Sequence, residues 1–135
     1  MRARMRRELD RSGEGGFDLK QGRGGIADIE FLAQYWALRE AGRRPAVAMY
    51  SDTIRQLETL ASADLVPQST VDRLTDAYRT YRARGHQRVL RGEGTVVDGS
   101  EFPAQRAAVT AIWEATFDEG AAGGATVPPS TPTGV

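Results

Sequence analysis

Apolar residues recur at helical spacing along most of the chain. From Ile26 they cover more than half of a helix surface, which predicts the most buried helix, and Gly42 can end it in a left-handed conformation. Stripes of the same period predict three further helices, which open at Ser51, Pro67 and Ser100. With the end of another helix at the start of the chain, the pattern predicts a mainly α fold, a helical bundle of about five helices.

The start of the chain follows a different pattern. Residues 2–11 contain neither Gly nor Pro and can form the end of a helix that Ser12 and Gly13 stop. The segment Phe17-Asp-Leu-Lys20 alternates apolar and polar residues, which is the period of a strand with one exposed face. So short a segment cannot form a sheet by itself. We therefore expect this strand to pair with strands that the chain does not supply.

The second half of the chain contains a weak point, a loop and a tail. Gly85 weakens the helix that opens at Pro67 without necessarily ending it, and residues 92–99 read as a loop. The apolar stripe of the last helix comprises Ala107 or Ala108, Ala111, Ile112 and Ala115. Residues 120–135 contain only Gly, Ala, Ser, Thr, Pro and Val, so we expect the tail to be disordered.

Composition excludes several classes of function. The 18 Lys and Arg residues balance 18 Asp and Glu residues, so no net field attracts nucleic acid or an anionic membrane. The chain has no cysteine and a single histidine, His86, which excludes disulfides, thiolate nucleophiles and histidine-rich metal sites. No apolar run approaches the roughly 20 residues that span a bilayer. We expect a cytoplasmic protein without membrane or nucleic-acid partners.

Candidate phosphate-binding residues surround a glycine turn between the predicted strand and the first long helix. Gly24 and Gly25 allow backbone N–H groups to approach a phosphate, and the following helix N-terminus adds partial positive charge. Lys20 and Arg23 flank this turn. The alternatives are plain turn chemistry for the glycines and a solvated side chain for Lys20.

Acidic residues around the same turn are candidates for a magnesium site, since Mg²⁺ prefers oxygen ligands. Asp18 is the first candidate for a catalytic, metal-binding acid, because Phe17 and Leu19 would face the core and turn it to the cleft. Asp28 is the second metal-ligand candidate, ahead of Glu30. The alternatives are an exposed strand acid for Asp18 and helix capping for the other two.

A dinucleotide-binding fingerprint also fits this turn, as Gly22-x-Gly24-x-x-Ala27. The surrounding sequence does not fit a dinucleotide-binding fold, because the predicted strand before the turn is charged and only helices follow. We therefore reject it.

The turn and its flanks resemble the family of the bifunctional glutamine synthetase adenylyltransferase/adenylyl-removing enzyme. The residues that carry this resemblance are Phe17-Asp-Leu-Lys20, Gly24-Gly-Ile26, Asp28-Ile-Glu-Phe31, Gln34-Tyr35, Ser51-Asp52, Leu74-Thr75 and the Arg106 to Trp113 helix. Together they cover most of residues 17–117. The shorter part, Leu-Lys followed by Gly-Gly and an acid, is also similar to the uridylyltransferases that modify the PII signal protein.

This resemblance implies an organisation and a function. Residues 1–25 would be the carboxy-terminal remnant of a nucleotidyltransferase domain and its sheet, residues 26–118 a helical bundle domain, and residues 119–135 a disordered tail. The Ala-Asp-Ile-Glu-Phe motif at 27–31 looks like the carboxy-terminal half, which transfers AMP from ATP to a tyrosine of glutamine synthetase. The implied cofactors of the full-length enzyme are ATP and Mg²⁺. The implied partners are glutamine synthetase, the PII signal protein and the upstream nucleotidyltransferase domain.

One motif of the family that this chain resembles is missing from the sequence. Its Gly-Ser motif precedes an Asp-x-Asp pair that holds two metal ions, but no Asp-x-Asp occurs here, and the only Gly-Ser is Gly99-Ser100. We therefore expect the metal-binding pair to lie upstream and this chain to be inactive alone, with no tight binding of ATP or Mg²⁺. The alternatives are a non-catalytic helical module that docks glutamine synthetase or PII, and a uridylyltransferase-like fragment.

Overall fold

The computed structural model describes residues 15–40 and 52–118. These residues form two strands, four α-helices and one π-helical turn: β1 Gly16–Asp18, α1 Ile26–Glu40, α2 Thr53–Ser62, α3 Gln68–Leu90, β2 Val96–Asp98, α4 Pro103–Trp113 and the π-helical Glu114–Asp118. The predicted mainly α bundle is confirmed. The predicted helix end at 2–11, Gly42, Ser51 and the tail at 119–135 lie outside the described residues.

Helix α1 is the central helix of the bundle, as its apolar pattern predicts. Its side chains at Ile29, Leu32, Ala33, Trp36 and Ala37 are buried. The helix contacts α2, α3 and α4. Since every other described helix packs against it, α1 fixes the position of the turn that precedes it.

The ends of the middle helices follow local chemistry. The carboxylate of Asp52 caps α2 by accepting the N–H of Arg55 at 3.0 Å. Helix α3 begins directly after Pro67 and continues through Gly85 to Leu90, as the sequence predicts. No described helix is both long enough and apolar enough to cross a membrane.

The short strand at the start has its partner within the chain. β1 pairs antiparallel with β2 in the register Gly16 with Asp98, Phe17 with Val97 and Asp18 with Val96. The expectation that β1 needs strands from outside the chain is therefore wrong, and part of the predicted loop at 92–99 is a strand. β1 and β2 lie far apart in sequence, so only the folded bundle brings them together.

Helix α4 buries a different face from the one predicted. Its buried residues are Val109 and Ile112, whereas Ala107, Ala111 and Ala115 are exposed. Ala108, the alternative to Ala107, is half-buried, so the predicted stripe was wrong at Ala107, Ala111 and Ala115. Alanine has so small a side chain that it tolerates either face of a helix. The helix begins at Pro103, and Ser100 lies before it in a turn.

The small sheet and the helices share one core. Phe17 and Leu19 enter it from the first strand and its turn, and Val97 from the second. The ring of Tyr81 lies 5.7 Å from that of Phe17 and 5.7 Å from that of Phe102, both in edge contact. This core places the glycine turn between α1 and α4.

Candidate functional site

The turn between β1 and α1 closes on itself through backbone hydrogen bonds. The Gly22 N–H donates to the Asp18 carbonyl at 2.8 Å, and the Gly25 N–H donates to the Gly22 carbonyl at 2.9 Å. The N–H of Ile26 donates to the Leu19 carbonyl at 2.9 Å. These N–H groups already have acceptors, so a phosphate would have to displace them to use the backbone.

Close packing leaves no room for a Cβ at Gly22, Gly24 and Gly25 of this turn. Gly24 has a φ of +82°, and a Cβ there would lie 2.9 Å from the Arg106 carbonyl oxygen and 3.0 Å from the Thr110 hydroxyl. A Cβ on Gly25 would lie 2.6 Å from the Leu19 carbonyl oxygen. Gly24 therefore allows the turn to pack against α4, and Gly25 allows the turn to fold closely on itself, whether or not a ligand binds.

Asp18 lies inside the protein. The alternation of residues 17–19 predicts an acid turned to a cleft, whereas Asp18 is only 2% exposed. Its Oδ1 accepts the N–H of Lys20 at 3.0 Å, the N–H of Gln21 at 3.2 Å and the hydroxyl of Thr95 at 3.1 Å. The carboxylate thus holds the turn and ties it to the segment before β2.

Asp28 has a similar structural contact on the other side of the turn. It is 1% exposed, and its Oδ2 accepts the Gly24 N–H at 2.8 Å. Glu30 accepts the hydroxyl of Tyr78 at 3.2 Å. The first acids of α1 therefore bind groups of the protein itself.

The surroundings of Asp18 and Asp28 differ from those of a typical magnesium site. Mg²⁺ demands octahedral oxygen coordination and usually keeps several waters, which needs open space around the carboxylates. Asp18 and Asp28 are buried and bonded to N–H groups. Within residues 15–40 and 52–118, no three acidic or histidine side chains are arranged to hold a metal ion. Their role as metal ligands stays a prediction.

The basic residues of the turn are more accessible. Lys20 is exposed, and Arg23 is half exposed and forms an ion pair with Glu114 of the π-helical turn. Arg23 lines an open pocket of about 480 Å³ together with Arg106 and Thr110 of α4. Of the predicted phosphate-binding side chains, Arg23 lines this pocket and Lys20 does not, and both roles stay predictions.

Arg106 was missed as a candidate site residue by sequence reasoning. Its guanidinium lies 4.1 Å from the centre of the Phe17 ring and donates to the Gly99 carbonyl at 2.5 Å. The sequence marks Arg106 only as the start of a helix shared with the resembling family, because its place beside the turn depends on how α4 packs. Thr110, one helical turn further along α4, was missed for the same reason.

Two titratable groups near the turn have shifted pKa values. Burial raises the pKa of Tyr81 far above its ordinary value, a shift that Arg106 opposes and the charge of Asp28 reinforces. A hydrogen bond from the Ser100 hydroxyl, at 2.6 Å, lowers the pKa of Asp98. Ser100 thus binds the acid two residues before it, which is turn chemistry.

Comparison with known proteins identifies the family. A sequence model described as GlnD PII-uridylyltransferase matches residues 1–93 of this chain. The chain belongs to this family. The matched residues include β1, the glycine turn and helices α1 to α3.

Curated relatives extend the similarity. Bifunctional glutamine synthetase adenylyltransferase/adenylyl-removing enzymes are 46% identical over 119 residues in Nitrosococcus oceani and 44% identical over 106 residues in Thioalkalivibrio sulfidiphilus. The enzyme of the same name from Pasteurella multocida is 36% identical over 118 residues. These alignments cover 88%, 78% and 87% of this chain but only 12%, 11% and 12% of the relatives. The resemblance seen in the sequence is confirmed, and the chain spans about one-eighth of these relatives' length.

Proposed function

We propose that this chain forms part of an enzyme that transfers AMP from ATP to a tyrosine of glutamine synthetase. The observation that carries the proposal is the unit formed by β1, the glycine turn and α1, which lies within the match to the family. The names of the relatives support the substrate. Because the chain spans about 12% of these relatives, the complete activity requires further sequence.

The chain's own contribution is a helical bundle that carries one rim of the nucleotide site. Lys20 and Arg23 supply positive charge at the turn, which attracts phosphate groups. The Asp-x-Asp pair is missing from the sequence, and Asp18 and Asp28 bind groups of the turn. We therefore place ATP and Mg²⁺ in the full-length enzyme, and we expect the chain alone to transfer no AMP.

A second candidate is a non-catalytic helical module that docks glutamine synthetase or the PII protein. It is favoured by the internal bonding of the turn, in which Asp18, Asp28 and several backbone N–H groups bond to one another. The description of the family, which names PII, also supports it. In this case the chain would bind a partner protein and contribute nothing to the transfer of AMP.

A chimaera distinguishes the two candidates. The segment of the Nitrosococcus oceani relative that aligns with this chain is replaced by this chain, and AMP transfer from labelled ATP to glutamine synthetase is measured. We expect the chimaera to be active and the chain alone to be inactive. Lys20→Gln in the chimaera should raise the KM for ATP by about tenfold, since a charge-assisted contact to phosphate contributes about 1.5–3 kcal/mol.

The control is Arg73→Gln, which removes an exposed positive charge from α3. It should leave the KM for ATP unchanged. Transfer by the chain alone would contradict the proposal. An active chimaera whose KM for ATP is unaffected by both Lys20→Gln and Arg23→Gln would favour the docking module. Binding of the chain to immobilised glutamine synthetase or PII would then identify its partner.

A further inference from the structure

An open depression of about 480 Å³ lies between the glycine turn and α4. It is open to solvent, so a ligand there would be held by a few polar contacts rather than enclosed. Arg23, Arg106, Thr110 and Glu114 supply its polar lining. An apolar wall is formed by Pro103 and two alanines of α4.

The charge of this pocket is positive, although the whole chain is neutral. Two arginines and one glutamate line it, while 18 basic residues balance 18 acidic residues overall. Arg106 is held in place by the Phe17 ring on one side and by its bond to the Gly99 carbonyl. A fixed guanidinium loses little conformational freedom when it binds an anion, which favours binding.

Glu114 is an anion that a ligand can replace. Its side chain is 49% exposed and that of Arg23 is 53% exposed, so water screens their ion pair. Exposed pairs of this kind contribute little to stability. A phosphate can form two parallel hydrogen bonds with a guanidinium, as a carboxylate does, and it carries more charge. Exchange of Glu114 for a phosphate therefore costs the protein little.

We propose that this pocket binds a phosphate-bearing small molecule. Arg23 and Arg106 bind the phosphate, the Thr110 hydroxyl donates to it, and Glu114 competes with it for Arg23. The proposal deepens the proposed function, and it rests on that function for the expectation that the phosphate belongs to a nucleotide. The apolar wall beside the arginines provides a surface for the rest of such a ligand.

Calorimetric titration of the purified 135-residue chain at constant ionic strength tests the site. The probes are inorganic phosphate, ATP without magnesium, and adenosine. We expect weak binding of phosphate, with a Kd in the millimolar range, and several-fold tighter binding of ATP. Adenosine should bind more weakly than either, because the two arginines carry the affinity. Binding of inorganic phosphate and ATP with equal affinity would support the anion site and overturn the nucleotide assignment.

Substitutions with opposite effects make the test independent of folding. Glu114→Gln removes the competing charge and should tighten phosphate binding by about threefold to tenfold. Arg106→Gln should weaken it by about tenfold or more. Arg73→Gln, on exposed α3 surface, is the matched control and should change nothing. Circular dichroism of each variant checks the fold.

The site is overturned if phosphate does not bind at tens of millimolar, or if Glu114→Gln fails to tighten binding. Equal weakening by Arg73→Gln and Arg106→Gln would also overturn it, since attraction would then be nonspecific. The activity of the chimaera is a separate measurement. An active chimaera with no phosphate binding by the chain refutes this pocket alone, and phosphate binding with an inactive chimaera refutes the proposed function alone.

Discussion

Replacement of Gly24 by alanine tests whether close packing, rather than ligand binding, requires the glycine turn. Gly24 has a φ of +82°, and its missing side chain leaves room for α4. A Cβ would lie 2.9 Å from the Arg106 carbonyl oxygen and 3.0 Å from the Thr110 hydroxyl. The backbone atom of α4 cannot rotate away as a side chain can. The helix or the turn must therefore move as a unit.

Two costs add in this variant. The left-handed backbone conformation costs a non-glycine residue about 1–2 kcal/mol. Overpacking against a helix adds about 1–3 kcal/mol. Alanine also reduces the conformational entropy of the unfolded chain, which stabilises the folded state by about 0.4–1 kcal/mol. We therefore expect Gly24→Ala to lower the free energy of unfolding by about 2–4 kcal/mol, a large part of the usual 5–15 kcal/mol.

Two other glycines provide controls that separate these costs. Gly92 has a φ of +72° with nothing within 4 Å of its built Cβ, so Gly92→Ala carries the backbone cost alone, about 1 kcal/mol. Gly94 has open space and no positive φ, so Gly94→Ala should change stability by less than about 0.5 kcal/mol. Urea unfolding followed by circular dichroism measures all three. If Gly24→Ala is no more destabilising than Gly92→Ala, the packing argument fails.

Two buried polar groups give further predictions. Asp18→Ala removes the acceptor of the Lys20 and Gln21 N–H groups and of the Thr95 hydroxyl, and should cost about 2–4 kcal/mol by urea unfolding. Asp18→Asn, which keeps an acceptor oxygen, should cost less, and equal losses would contradict this role. Burial raises the pKa of Tyr81 above its ordinary 10.0, so its hydroxyl stays neutral when folded and ionises when unfolded. Stability should therefore fall as pH rises above about 10, and Tyr81→Phe should reduce this fall in thermal melts at about pH 8 and about pH 11.

Tyr81→Phe also tests the burial of the hydroxyl near neutral pH. The oxygen is buried and has no hydrogen-bond partner among the described residues. Removal of such a group is neutral or stabilising by up to about 1 kcal/mol. A clear loss of stability would show that the hydroxyl has a partner, such as a bound water.

Local pattern determined the helices of this protein. The apolar residues from Ile26 onward recur at helical spacing, and Pro67 marks the start of α3. Both helices can therefore be predicted from the sequence. Continuation through Gly85 was also predictable, because a single glycine weakens a helix by only about 1 kcal/mol. Family membership followed from the ordered run of residues between Phe17 and Phe31.

Tertiary structure alone decided the sheet and the surroundings of the turn. Val96 and Val97 look like part of a loop until the folded bundle brings them beside Phe17. That pairing then encloses Asp18, which strand alternation alone would expose. Arg106 reaches the turn only because α4 buries Val109 and Ile112, and its alanines permit either face. Helical periodicity can be read from a few neighbouring residues. These contacts, in contrast, join residues about 80 positions apart, such as Phe17 and Val97, and depend on how whole helices pack.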